Sequence, residues 1–218
     1  MDTYPILSAE ATVEIVMKKS RFIGRASPIT SPRAAEERLT RVRESEPEAS
    51  HHVYAYSLAM LPGRTEWVLQ RMSDDGEPSG TAGRPVMGVL ERSQWQDVLL
   101  VVTRYFGGTL LGASGLVRAY TKAAAEALAK APKALKVRSR RYRWMVPYSL
   151  YGSAMNLLSN LQPVHVEGSD FTTEVAIIFT APVTVHGRLA RQLGEFVQGE
   201  PEWVILDRMY LEMPWGGE

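Results

Sequence analysis

Cysteine is absent from the 218 residues, which excludes disulfides, thiolate nucleophiles and cysteine-based zinc sites. No apolar run approaches the length of a membrane span, and Met1 to Glu10 lacks the basic-then-apolar layout of a signal peptide. A cytoplasmic location without membrane contact is therefore expected. An excess of one charge is missing too: 25 Lys and Arg against 24 Asp and Glu leave a net charge of +1. Bulk charge thus gives no reason to bind nucleic acid or anionic lipid, and only local patches remain for such a role. The H-E-x-x-H and G-x-S-x-G signatures are absent, as are the Walker ending and the dinucleotide G-x-G-x-x-G spacing. His165 and His186 have no carboxylate or histidine at ligand spacing. The expectation is a protein without a resident cofactor or metal and without a defined catalytic activity.

What is present points to an α+β protein of two domains. In the first half, Thr12 to Lys18 and Arg21 to Ser27 read as strands turned at Lys19-Ser20. Ser31-Pro32 opens a helix with an apolar stripe of Ala35, Leu39 and Val42, and Glu37 to Arg41 is a favourable pair on its surface. His51 to Leu61 and Thr65 to Met72 read as a hairpin joined at Pro62-Gly63. A short helix over Ala82 to Arg92 precedes a continuous apolar strand, Asp97 to Arg104. Ser114 to Lys130 is the clearest helix, with Leu116, Tyr120, Ala123 and Ala127 on one side. The expected domains are 1–132 and 140–218, with residues 133–139 as linker. In the second, Arg140 to Val146 is a strand, and Leu150, Ala154, Leu157 and Leu161 mark a helix. Val164 to Glu167 and Phe171 to Thr180 then pair across Gly168-Ser169. Val185, Leu189, Leu193 and Phe196 mark a further helix, and Trp203 to Met213 closes the chain. That β-α-β-β-α-β order is the ferredoxin-like one.

Two loops stand out, because no hydrophobic core needs them. Ser73 to Pro85 carries Asp74, Asp75 and Glu77 among glycines and prolines. Arg104 to Tyr120 carries Gly107, Gly108, Gly112 and Gly115 ahead of a helix. The two are expected side by side around a shared hollow. In the glycine run, backbone N–H groups at the helix start would cradle an anion, with Ser114 among them. Arg104 and Arg118 would hold a phosphate or carboxylate. The alternative is a tight turn with both arginines solvated or paired. Asp74, Asp75 and Glu77, with His51, are the catalytic candidates. The three carboxylates would act as acid or base, bind Mg²⁺ or receive a basic partner, with Arg84, Arg104 and Arg118 available to compensate their charge. The alternative is an Asx-turn and helix entry with the carboxylates facing water. His51 and His52, as strand neighbours, face opposite sides, so at most one enters any one cleft.

The last patch is basic. From Lys133 to Arg143 there are six Lys or Arg and no acid. Arg138, Arg140, Arg141, Tyr142, Arg143 and Trp144 combine cations and aromatics in the manner of a strand that contacts RNA. The alternative is an amphipathic strand whose aromatics pack on helices.

Four ordered blocks carry a family resemblance: Lys18-Lys19-Ser20-Arg21-Phe22-Ile23; His51 with Ala55-Tyr56; Asp74 through Gly83; and Arg104 through Gly108 with Leu111 through Tyr120. Together they resemble the IMPACT/YigZ family over most of residues 10–130. The resemblance implies a left-handed β-α-β fold for the first domain, of the type shared by a small-subunit ribosomal protein and the GHMP kinases. For the second domain it implies a ferredoxin-like module similar to those at the end of elongation factor G. Ala113 and Ser114 stand where family members often have glycine. A proline-dipeptidase label borne by some bacterial relatives finds no dinuclear ligand set here. The family's eukaryotic members act in translational control through a partner engaged by a further N-terminal domain, and that partner does not carry over. The basic-aromatic strand, the absence of catalytic constellations and the implied folds, similar to ribosomal and elongation-factor domains, together point to a translation-associated regulator that binds RNA or the ribosome. The competing expectation is an enzyme or binder of a phosphate-bearing small ligand at the loop pair, with or without Mg²⁺.

Overall fold

β-branched and apolar residues, many of them buried on both faces of the strand, build the first sheet. In the computed structural model, which describes residues 3–59 and 68–215, the elements run β1 (Thr3–Leu7), β2 (Ala11–Met17), β3 (Ser20–Pro28), α1 (Pro32–Ser45), β4 (His51–Ala59), β5 (Val68–Ser73), α2 (Gly83–Ser93), β6 (Val98–Tyr105) and α3 (Ala113–Lys130). They continue through β7 (Lys133–Val146), α4 (Tyr151–Asn160), β8 (His165–Phe171), β9 (Val175–Pro182), α5 (His186–Val197) and β10 (Trp203–Pro214). The chain divides into a first unit built on Tyr4–Leu135 and a second on Lys136–Met213.

In the first unit the strands pair in the order β2-β3-β6-β4-β5, each neighbour antiparallel to the next. The crossover from β3 through α1 to β4 leaves a gap that β6 fills. β6 is buried along almost its whole length, and the reason is its two faces. Val98, Leu100 and Val102 join the core beneath α2 and α3, whereas Leu99 and Val101 join the smaller cluster beneath α1. Gly24 sets the approach of α3. A Cβ there would lie 2.3 Å from the carbonyl oxygen of Ala123, so only glycine lets the helix's alanine stripe rest on β3.

The start of α1 is as expected: the Ser31 hydroxyl accepts the Ala34 N–H at 3.1 Å, with Pro32 in the first turn. The pairing on its surface is not. Glu37 accepts from Arg33 at 2.8 Å rather than from Arg41. One carboxylate has an arginine a turn away on each side, and the choice between two exposed pairs is worth only a few tenths of a kcal/mol. β4 and β5 form the expected hairpin; its turn at Pro62-Gly63 lies outside the described residues. β1 was not anticipated.

In the second unit β8, β9 and β7 lie in that order, and β10 also pairs with β7. With the element order, this is the ferredoxin-like arrangement. The aromatic and aliphatic residues of β7 and β9 pack against Ala154, Leu158, Leu189 and Leu193 of the two helices. Two expectations are corrected. Residues 133–139 are not a free linker but the first half of β7, because Ala134, Val137 and Ser139 are buried there. The β8–β9 turn lies after Phe171, where the Thr172 N–H donates to the Glu174 carbonyl at 3.0 Å, and not at Gly168-Ser169. The glycine marks instead a register shift inside the ladder, between Val166 and Gly168.

Candidate functional site

β3 and β6 are antiparallel, with Phe22 opposite Arg104, and β4 pairs with β6 so that His51 is also opposite Arg104. The start of β4, the end of β6 and the turn before β3 therefore meet at one end of the sheet. The acidic loop joins them there. Glu77 is buried, and its Oε1 accepts from Arg104 Nη1 at 2.5 Å and from the Tyr120 hydroxyl at 2.7 Å. His51 Nε2 lies 3.8 Å from the same oxygen. Phe22 packs edge-on against the Tyr120 ring, with 5.3 Å between centroids. Burial and the adjoining Glu77 carboxylate push the Tyr120 hydroxyl far above its ordinary range, so it acts as a proton donor to Glu77 and stays neutral.

The other two carboxylates go elsewhere. Asp75 accepts the His52 N–H at 2.7 Å and pairs with Arg43 at 2.9 Å. Its backbone carbonyl is 2.8 Å from His51 Nδ1, which makes that nitrogen the protonated one in the neutral ring. Asp74 turns back on its own loop and accepts the N–H groups of Gly83 (2.7 Å), Gly80 (2.9 Å) and Ala82 (3.1 Å). It thereby caps α2, whose own Ala82 at the cap position has no side chain to do so. Partial burial would raise the Asp74 carboxyl, but the three N–H groups outweigh it and hold it below its ordinary range.

A lowered folded value means that this stabilisation is complete above the unfolded carboxylate range, about pH 4. It is lost as the pH falls through the folded value. Asp74→Ala is expected to cost about 1–2 kcal/mol at neutral pH, the upper range for a lost cap. The gap between variant and wild type in urea unfolding should shrink below pH 4. A gap that stays constant on acidification would exclude this role.

The three acids thus do not converge, and among the described residues no group of three or more His, Asp or Glu is placed to hold a metal ion. Of the arginines expected to compensate them, only Arg104 does so. Arg84 pairs with Glu91 at 2.9 Å, and Arg118 is exposed on α3. Arg104 is a correction in the opposite sense: with its side chain only 7% exposed and committed to Glu77, it does not reach out to a phosphate. Gly107 abuts the backbone of the β2–β3 turn, and Gly108 and Gly112 adopt left-handed φ values of +77° and +74°. Ala113 and Ser114 open α3 on the surface, and Gly112 at its cap provides no side-chain acceptor. His51 and His52 face opposite sides of β4 as expected: His51 meets Glu77, while His52 Nδ1 is 3.2 Å from Thr103 Oγ1.

The basic strand also differs from expectation. Tyr142 and Trp144 are fully buried and cannot stack on bases. Tyr142 lies flat between Phe179 and Trp203, at 5.2 and 4.9 Å, and Trp144 meets the edge of Phe196 at 5.6 Å. Period-two alternation is the cause, since it sends every second side chain of β7 under the helices. Burial pushes the Tyr142 hydroxyl up and the neighbouring His186 down; Arg140 opposes the first shift and reinforces the second. Arg141 pairs with Glu167 at 2.8 Å, Arg143 is exposed and Arg138 half-buried. Sequence reasoning missed Tyr120 and Arg43 as members of the loop network. Tyr120 was hidden in an apolar stripe, although a tyrosine in such a stripe signals a buried hydroxyl that needs a partner.

Among the described residues no helix is long and apolar enough to cross a membrane. Residues 18–128, from the β2–β3 turn through nearly all of α3, match the model of the Impact N-terminal domain. The IMPACT family member YvyE of Bacillus subtilis is 44% identical over 115 residues, which cover 53% of this chain and 51% of that protein. The IMPACT family member YigZ of Escherichia coli is 30% identical over 207 residues, 95% of this chain and 100% of its own length. A crystal structure of a hypothetical protein superposes with a TM-score of 0.62 at 30% identity, covering 95% of this chain and 98% of that one. With the family model matched over half of its length and a relative covered from end to end, this chain belongs to the IMPACT family.

Proposed function

We propose that this protein is a cytoplasmic, translation-associated regulator that contacts RNA through its phosphates and catalyses no reaction. The observation that carries this reading is β7. From Lys136 to Arg143 it holds five Lys or Arg and no acid, with Arg143 exposed and Arg141 41% exposed beside Glu167. The strand's aromatics are turned inward, so its part in binding is charge alone. Contacts of that kind position a protein on RNA without reading its sequence.

Affinity for a ribosomal RNA fragment, followed by fluorescence anisotropy, should therefore fall steeply with salt. Arg143→Glu is expected to weaken binding severalfold and to make the log-log salt dependence shallower by about one. Failure of the wild type to bind RNA at low salt, together with failure to sediment with ribosomal subunits, would overturn the reading.

A second reading rests on the start of α3, where Ser114 and Arg118 lie on the surface and no side chain caps the helix. A phosphate-bearing small ligand would sit there. A thermal-shift screen with nucleotides and phosphorylated metabolites, with and without Mg²⁺, separates the two readings. A shift abolished by Arg118→Glu would favour the ligand.

A further inference from the structure

Lys18 and Lys19 form the turn before β3, and Phe106 follows directly after β6. Because those strands are antiparallel neighbours, both segments leave the sheet at the same end. Gly107 presses them together: a Cβ there would lie 2.1 Å from the carbonyl carbon and oxygen of Lys19, and its N–H donates to Ser20 Oγ at 3.2 Å. Phe106 is held from the other side, where its N–H donates to Ser50 Oγ at 3.2 Å.

This tip carries apolar groups that a solvated loop does not need. Phe106 is 49% exposed and Leu110 is 82% exposed. The Arg104 guanidinium carbon lies over the Phe106 ring, 5.4 Å from its centroid. Arg104 is itself fixed, by Glu77 on one side and over the Phe22 ring at 5.5 Å on another. One face of the phenyl ring is thus braced by a cation that cannot move away, and the ring remains half open to solvent. Beside it, on the turn that Gly107 abuts, Lys18 and Lys19 are exposed and make no ion pair among the described residues. Every carboxylate of the neighbouring acidic loop is already taken.

We propose that this tip docks single-stranded RNA: Phe106 stacks on a base while Lys18 and Lys19 meet the flanking phosphates. The inference rests on the RNA-binding reading above and gives it a second, shape-selective contact in the first unit. A free aromatic face beside unpaired cations suits an unstacked base with its backbone, whereas a duplex hides the base faces. The buried Glu77–Arg104 pair then has a purpose beyond packing, since it pre-positions the ring.

The test uses the full chain with a labelled short oligouridylate and, separately, a labelled RNA duplex, both read by anisotropy. Phe106→Ala is expected to weaken single-strand binding about tenfold, the scale of one lost stacking contact, and to leave duplex binding unchanged. Lys18→Glu combined with Lys19→Glu should weaken both, and Phe106→Tyr should bind like the wild type. Phe106 and the lysines are exposed, so unchanged melting temperatures are expected for all variants. Normal single-strand binding by Phe106→Ala, with wild-type binding intact, overturns the tip and leaves the function proposal standing. Absence of binding by the wild type to either RNA overturns both.

Discussion

Glu77→Ala is expected to lower the stability of the first unit by about 3–5 kcal/mol, the usual cost of removing one member of a buried ion pair. The loss is large because the partner stays behind. Arg104 would keep a full charge with almost no exposure, and its Nε already has no acceptor among the described residues. The Tyr120 hydroxyl would lose its acceptor as well. Glu77→Gln retains an oxygen for both donors and should cost roughly half as much, since neutral acceptors bond an arginine less strongly. The double variant Glu77→Leu with Arg104→Met should recover part of the loss, as apolar replacement of a whole buried pair often does. Urea unfolding at constant m-value measures all three. A loss of less than about 1 kcal/mol for Glu77→Ala, the scale of an exposed pair, would show that Glu77 does not anchor the loop.

A comparable effect is expected in the second unit. Trp144→Ala should cost about 3–5 kcal/mol, the range for emptying a large aromatic site in a core. Trp144 is fully buried against Phe196, and its indole N–H has no hydrogen-bond partner among the described residues. Trp144→Phe should consequently be mild, about 1–2 kcal/mol, because the cavity is smaller and no hydrogen bond is given up. An exposed stacking residue would behave in the opposite way. Its loss would leave stability within about 0.5 kcal/mol and weaken RNA binding directly. The denaturation midpoint of Trp144→Ala separates these cases without any RNA present.

Period-two and period-3.6 patterns were legible wherever burial followed them. The double-sided apolar run of β6, the alanine stripe of α3 and the opposed directions of His51 and His52 all follow from backbone periodicity and appear as expected. Local composition misled where a long-range partner decides the outcome. Glu77 sits among glycines, prolines and acids, which reads as a solvated turn. Its burial depends on Arg104 and Tyr120, 27 and 43 residues away, and no local pattern encodes that meeting. The reverse holds for Tyr142 and Trp144. Their neighbours are cations, so the segment reads as a surface, yet alternation alone assigns them to the core. Phe106 is an aromatic that does stand beside free cations, and the glycines around it concealed it.

Both Lys18 and Lys19 adopt left-handed backbone, with φ of 46° and 67°, where a two-residue hairpin ordinarily recruits Asn-Gly. Side chains with a Cβ resist that conformation by about 1–2 kcal/mol each. The hairpin forgoes that stability and in exchange projects two ammonium groups from adjacent positions at its apex. On local cost alone an Asn-Gly pair would be the more stable apex, so the two charges are held there against the backbone's own preference.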